Sequence, residues 1–254
     1  MKRRNGGRQK CPRSWVPMLR ASPLLVMLCL GRPTIGDAEA IGSPSRILKK
    51  GTWAMGLGGG GVLGRDLKGN AEATLYEFGH FRGYGVTDWL SLYGKLGVAF
   101  LEVDDPAIVK PRDSSSNNRF GTNVLVAIQT RTRLWQSPQK KWEWDGSLQY
   151  VDIRKRHQGK NEGRWHQWQV ATSVARAFGR VKPYLGVEWS MVNFNFKIRQ
   201  EGELLTQGRY HEDASIGPFF GTDVYLGSAE DVMVNLETSY VGGGEVDASI
   251  RYIF

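Results

Sequence analysis

The sequence predicts an all-β fold: an antiparallel, up-and-down transmembrane β-barrel of about ten strands, with eight as the alternative count. Three observations predict it. The last ten residues alternate strictly, with Val246, Ala248, Ile250, Tyr252 and Phe254 on one side of an extended chain and Glu245, Asp247, Ser249 and Arg251 on the other. A period of two belongs to a strand whose two faces meet different surroundings. One face here is oily and the other charged, as in a barrel with lipid outside and a polar lumen inside. The same division recurs upstream, and the connections between these segments alternate between tight turns and longer polar stretches. An edge strand of a soluble sandwich would explain one such segment equally well, but not a series of them.

The start of the chain reads differently. Residues 1–40 combine a basic stretch, the short apolar core Pro23–Leu30 and the small-residue exit Ala38-Glu39-Ala40, the layout of a secretory signal peptide too short to span a bilayer as a helix. Met18 lies just ahead of the apolar core and is the expected true start. Residues 41–50 then form a lead-in and 51–254 the barrel. Both cysteines, Cys11 and Cys29, fall in the leader, so the mature chain has no thiol and no disulfide. The net charge of +9 falls to about +3 once the leader is removed, so the basic character is no sign of nucleic-acid binding. No apolar run after residue 40 reaches the 18 or so residues that a membrane helix needs.

The strands follow in order. The segment 52–63 contains Gly58-Gly-Gly-Gly61; no Lys-Ser/Thr and no helix follow it, so it is expected to be a bending strand and not a phosphate loop. After 72–84, the segment 88–102 sets Leu90, Leu92, Leu96, Val98 and Phe100 against Ser91, Tyr93, Lys95 and Ala99. In 119–133, Val124, Val126 and Ile128 oppose Asn123, Gln129, Arg131 and Arg133, with Leu125 out of pattern. The segment 142–156 slips near Tyr150-Val151. In 166–178, Trp168, Val170 and Val174 oppose Gln167, Gln169 and Ser173. In 183–198 the parity changes at Phe194, Phe196 and Ile198, as beyond a bulge or above the membrane. The last three are 209–226, 231–241 and 245–254. Tight turns at 84–88, 137–140, 179–182 and 227–230 alternate with longer connections at 64–71, 103–118, 157–165 and 199–208. That is the asymmetry of short periplasmic turns and longer outer loops. Trp53, Trp89, Trp135, Trp142, Trp144, Trp165, Trp168 and Trp189 lie mainly near strand ends, where an interfacial girdle belongs.

With its signal peptide, cysteine-free mature region and terminal Ile250-Arg-Tyr-Ile-Phe254, the chain resembles the family of small bacterial outer-membrane β-barrel proteins. Tyr84-Gly-Val-Thr-Asp-Trp-Leu-Ser-Leu-Tyr-Gly-Lys-Leu-Gly97 and Lys182-Pro-Tyr-Leu-Gly186 are similar to turn-and-strand phrases of that family. The resemblance implies residence in the bacterial outer membrane, and a terminal Tyr252 and Phe254 read as a signal by the outer-membrane insertion machinery. The family commonly has eight strands, so a count of ten departs from it.

The inward faces place Glu77, Lys95, Arg131, Arg133, Glu143, Asp145, Glu188, Asp223, Glu237, Glu245, Asp247 and Arg251 in one lumen. Arg131 and Arg133 are expected beside Glu143 and Asp145, and Arg251 beside Glu237. A narrow barrel leaves little free space, and unpaired charges in it are costly, so a salt-bridged plug is expected. A selective pore is the alternative. His80, His157, His166 and His211 fall near loop ends; with Glu212 and Asp213 they are the candidates for an enzyme site, a protease or a lipid A-modifying activity, but no nucleophile phrase accompanies them. No catalytic residue, cofactor or metal site is expected, nor is nucleic acid as a partner. The expected role is structural, in envelope integrity, or surface contact through 103–118 and 199–208.

Overall fold

In a computed structural model of the 254-residue chain, the described residues are 47–67, 71–104, 118–154, 161–200, 203–212, 215–227 and 230–254. The expected signal peptide and residues 41–46 of the lead-in lie outside them. The strands are β1 (Trp53–Leu67), β2 (Ala71–Gly85), β3 (Leu90–Asp104), β4 (Asn118–Gln136), β5 (Trp142–Arg154), β6 (Asn161–Arg176), β7 (Val181–Gln200), β8 (Glu203–His211), β9 (Ser215–Leu226), β10 (Val232–Tyr240) and β11 (Gly244–Ile253). Each pairs antiparallel with its neighbour, and β1 pairs with β11 from Ala54↔Ile253 to Leu63↔Gly244, which closes the sheet.

Eleven strands make a ten-stranded ring. The lower half of β7 pairs with β9 (Val181↔Val224 to Ser190↔Ser215), and its upper half pairs with β8 (Asn193↔His211 to Gln200↔Glu203). β8 and β9 therefore share one place in the wall and together correspond to the expected segment 209–226. The even count of ten holds, not eight. Tight turns sit at the end that carries both termini of the barrel; Lys140, Gly179, Gly227 and Glu230 there adopt positive φ.

Three expected loops are largely wall, 64–71 among them, since β1 runs to Leu67 and β2 begins at Ala71. Residues 203–208, placed in a connection by the sequence, continue β8, and 161–165 begin β6. These extensions were hidden because the alternation inverts along the barrel. Toward the turns the outward side chains are apolar, as at Leu96 (65% exposed), Ile216 (72%), Val126 and Leu236, while Lys95, Gln129 and Asn235 point inward and are buried. Toward the other end the inward residues become apolar, and the outward ones become Arg154, Arg164, Asn195, Lys197 and Arg209.

The same inversion decides between the two readings of the parity change in β7, a bulge or a stretch above the membrane band, and corrects the slip expected in β5. β7 has no bulge at Phe194: its register with β6 is continuous from Asn161↔Ile198 to Ala175↔Tyr184. Nor does β5 slip at Tyr150-Val151, where its pairing with both neighbours is unbroken. Phe194, Phe196, Ile198, Val151 and Ile153 keep inward parity; what changes is the content of the lumen. Leu125, the exception in β4, is likewise buried inside.

The glycine run, expected to bend, is continuous paired strand. Gly58–Gly61 pair in unbroken register with both β2 and β11, and the irregularity comes after them, between Val62 and Arg65, where Gly64 has φ +59.

Candidate functional site in the lumen

The lumen is built in two storeys. The one nearer the turns is polar, and of the twelve charged residues expected there ten are buried and inward: Glu77, Lys95, Arg131, Asp145, Glu188, Asp223, Glu237, Glu245, Asp247 and Arg251. Glu143 and Arg133 are half-buried near the turn-side mouth. Sequence reasoning missed three further charged residues inside: Arg65, Lys182 and Glu212.

The pairing is partly other than expected. Lys95 pairs with Glu77, and Lys182 with Glu143, which also accepts from Gln136 Nε2 at 2.7 Å. Arg133 stands opposite Asp145 in the ladder, yet its Nη1 donates to the backbone oxygen of Asp88 at 3.1 Å. The expected neighbour of Arg251 is corrected too. In register Glu237 faces Asp247, and Arg251 faces Met233. Glu237 instead accepts from the Tyr184 hydroxyl, to which Asn235 Nδ2 donates at 2.9 Å.

Arg251 and Arg131 rest on rings. The Arg131 guanidinium lies 4.3 Å from the Tyr93 centroid, and that of Arg251 lies 5.4 Å from Phe81 and 5.9 Å from Tyr93, positions in which the ring quadrupole favours a cation. Glycines make the room. A Cβ at Gly56 would sit 2.5 Å from Phe81 Cζ, and one at Gly83 would sit 2.3 Å from Tyr93 Cε1. This is the physical use of part of the glycine content of β1 and β2: a narrow barrel holds large interior side chains only where the wall beside them is bare.

Higher up, Gln149, Gln169 and Glu188 form an amide–carboxylate chain, with Gln169 Nε2 donating to Glu188 at 2.8 Å. Arg65 is the hub of the next layer. It donates to Glu212 (2.8 Å), Glu245 (3.2 Å) and Ser190 (2.7 Å) and is fully buried. Three oxygen partners on β7, β11 and the β8–β9 junction satisfy a guanidinium that would otherwise be very costly inside.

Above Arg65 the lumen turns apolar. Phe120, Trp165, Val192, Phe194, Phe196 and Ile198 pack with Leu75, Leu101, Val103 and Ile153 in one buried cluster. Phe120 meets Phe194 edge-on at 5.1 Å, and Phe196 stacks on Tyr210 at 5.1 Å. Trp165, expected in the girdle, belongs to this plug instead. The other mouth is occupied as well: lead-in residues Ile47 and Leu48 are buried, with Leu48 N donating to the inward Ser91 Oγ at 2.8 Å.

The described histidines are not at a lumenal rim. His80, expected near a loop end, lies mid-strand on β2, on the outward side between Leu57 and Leu96, with Arg82 Nε donating to it at 3.1 Å. His166 and His211 also have outward parity on β6 and β8. His166 Nδ1 meets both the Tyr150 hydroxyl (2.8 Å) and Asp152 Oδ1 (3.4 Å). A proton relay needs the two partners on opposite ring nitrogens, so this contact anchors the ring. His157 and Asp213 lie outside the described residues. Among the described residues no group of His, Cys, Asp and Glu could hold a metal ion.

The outer surface completes the picture. Trp53, Trp89, Trp135, Trp142 and Trp144 are exposed around the turn-side rim, and Trp168 is exposed at the upper limit of the apolar band. No helix of the described residues is long and apolar enough to cross a membrane; crossing is by strands.

No family model and no curated protein matches the chain. Among solved structures it is similar to the outer membrane protease OmpT from Escherichia coli, at 8% identity and a TM-score of 0.46, covering 84% of this chain and 100% of that one. It is similar to the beta domain of the Bordetella autotransporter BrkA, at 12% identity and 0.44, covering 80% and 98%. Ail, the attachment invasion locus protein of Yersinia pestis, matches at 10% identity and 0.39, covering 81% and 99%. These likenesses are distant, and the assignment rests on the closed ring, the apolar band and the polar lumen. The chain is a closed, ten-stranded antiparallel β-barrel with the apolar outer band and polar lumen of a transmembrane barrel.

Proposed function

We propose that this barrel is a sealed structural element of the outer membrane, serving envelope integrity or surface contact through its outer face, and that it is neither a pore nor an enzyme. The observation that carries the reading is the two-storey lumen: a hydrogen-bonded charge network below, an aromatic and aliphatic plug above, and Leu48 in the turn-side mouth. A conducting pathway needs a continuous wetted route, and Phe120, Phe194 and Phe196 are buried and in ring contact across the outer storey. A hydrolytic site needs an activated nucleophile with an oriented base, and the anchored His166 does not supply one. As part of the same proposal, Tyr252 and Phe254 serve as the insertion signal. Their rings stack at 6.0 Å on the exposed lower rim, accessible from outside the barrel.

Planar-bilayer recording of the refolded protein tests the reading. No resolved conductance steps are expected from the unmodified chain, whereas replacing Phe120, Phe194 and Phe196 together by Ala should raise leak through the outer storey. Stable unit conductances from the unmodified protein would overturn the sealed-barrel reading.

A further inference from the structure

Along β5 to β8 the outward face changes character row by row, and strand register places the rows exactly side by side in the wall. The row Leu148, Val170 and Trp189 is apolar. Two residues higher, Tyr150, Trp168 and Met191 form the next row, with Tyr150 and Trp168 in ring contact at 4.7 Å. Then come Asp152, His166, Asn193 and His211, and above them Arg154, Arg164, Asn195 and Arg209, directly opposite one another in four successive strands. Glu162, Lys197 and Gln207 follow.

This sequence of rows maps onto the profile of a leaflet. Each row is two residues, or about 7 Å of strand, above the last. The arginine row therefore stands about 13 Å along the strand from the aromatic row, less once strand tilt is counted. Aromatic side chains mark the boundary of the hydrocarbon, and the guanidinium groups lie in the headgroup layer above it. The end of the barrel is the outer one, because the tight turns and both barrel termini are at the other.

The row is also a built surface. Asp152 is mostly buried and accepts from Arg154 Nε at 2.5 Å and Arg164 Nε at 3.3 Å, while Arg209 Nη2 donates to Asn193 Oδ1 at 3.1 Å. The arginines are held in place by these contacts, and Arg154 and Arg164 remain about half exposed. A groove of about 640 Å³ runs between them, and its lining includes Arg154, Arg164, Lys197 and Arg209 together with Glu162 and Asn195. Four cations face two carboxylates, Asp152 and Glu162, in this patch. The opposite side of the collar has the reverse sign: Asp66, Glu72, Glu102 and Asp104 lie on the outward faces of β1 to β3, with Glu72 opposite both Asp66 and Asp104. Among the described residues, the row of arginines on β5, β6 and β8 therefore has no counterpart on β1 and β2.

We infer that the outward row Arg154, Arg164 and Arg209, with Lys197 above it, binds the phosphorylated headgroup of an outer-leaflet lipid whose acyl chains lie along Leu148, Val170 and Trp189. Planar guanidinium groups fixed in a row suit the bidentate recognition of phosphate oxygens, and the apolar rows beneath take the chains. This rests on the membrane placement and extends the proposed structural role: a barrel that holds phosphorylated lipid to its wall ties the leaflet to itself.

The test uses full-length mature protein refolded in zwitterionic detergent, titrated with bisphosphorylated lipid A, with the same lipid enzymatically dephosphorylated, and with inorganic phosphate, reading bound lipid by native mass spectrometry. Preferential retention of the phosphorylated lipid is expected, together with at least about tenfold weaker binding by the R154Q/R164Q/R209Q variant. The K140Q/K141Q variant, which loses charge at the opposite rim, should bind as the unmodified protein does. Equal binding of the dephosphorylated lipid by the unmodified protein would overturn the proposal whether or not the triple variant folds. So would unchanged binding by a triple variant that keeps its heat-modifiable mobility, or displacement of the lipid by millimolar inorganic phosphate. A non-conducting barrel that fails these tests leaves the sealed-lumen reading standing; a conducting barrel that passes them removes only that reading.

Discussion

Lys95 shows how single residues in this lumen divide between what a sequence displays and what it hides. Its inward parity is plain from Leu92, Leu96 and Val98 around it, and the structure buries it against Glu77 on the neighbouring strand. Replacing Lys95 by Met should destabilise the barrel by about 3–5 kcal/mol, because it leaves a carboxylate buried without its cation, and the E77L/K95M double variant should recover most of the loss. Urea unfolding in detergent, followed by tryptophan fluorescence, measures both; equal destabilisation of single and double variants would refute the pairing as the cause. Arg65 is the contrary case. It follows the irregularity at Gly64, which adds residues to β1 and resets the parity, so no period-two reading from Trp53 onward carries it inside. Glu212 sits at the break between β8 and β9, where no alternation exists to be read. Lys182 is legible in principle, since it shares parity with Tyr184 and Glu188, but the expected segment begins at 183, two residues after β7 does.

At the scale of elements, the informative strands are β5 to β8, which continue beyond the apolar band. There the inward side chains are those of a soluble protein core and the outward ones are polar, so a reading that searches for apolar residues on one constant face meets an apparent slip. Phe194 is the clearest instance: in contact with Phe120, Trp165, Phe196 and Tyr210, it is fully buried. Its replacement by Ala should reduce unfolding free energy by about 3–5 kcal/mol through lost burial and the cavity left behind, read in the same denaturant series. A change within error would show that the outer storey is not packed as described. The tight turns raised no such difficulty, because Gly179 and Gly227 advertise their positive φ and turn chemistry is local.

The whole molecule sets two different solvents against one wall, and that is testable by placing the same charge in each. Leu96→Arg, in the middle of the apolar band, should cost about 2–4 kcal/mol in lipid, whereas Gln207→Arg, on the exposed collar, should be close to neutral. Folding titrations into phospholipid vesicles compare them directly; equal penalties would mean that the band does not face hydrocarbon. The heat-modifiable gel mobility of a closed barrel should persist in Gln207→Arg.

What the sequence determined by itself is the architecture: strand type, an even count of ten, the oily outer face, the polar inner one and most of the charged residues that line it. These follow from side-chain parity and turn chemistry, which are properties of neighbours along the chain. The tertiary structure alone decided which charges meet, that β8 and β9 divide one place in the wall, that an aromatic plug closes the outer storey, and that three arginines from β5, β6 and β8 stand in one row. The reason is physical: those contacts depend on register between strands far apart in sequence, and a shift of one residue in any pairing exchanges the two faces without altering the local pattern that a sequence displays.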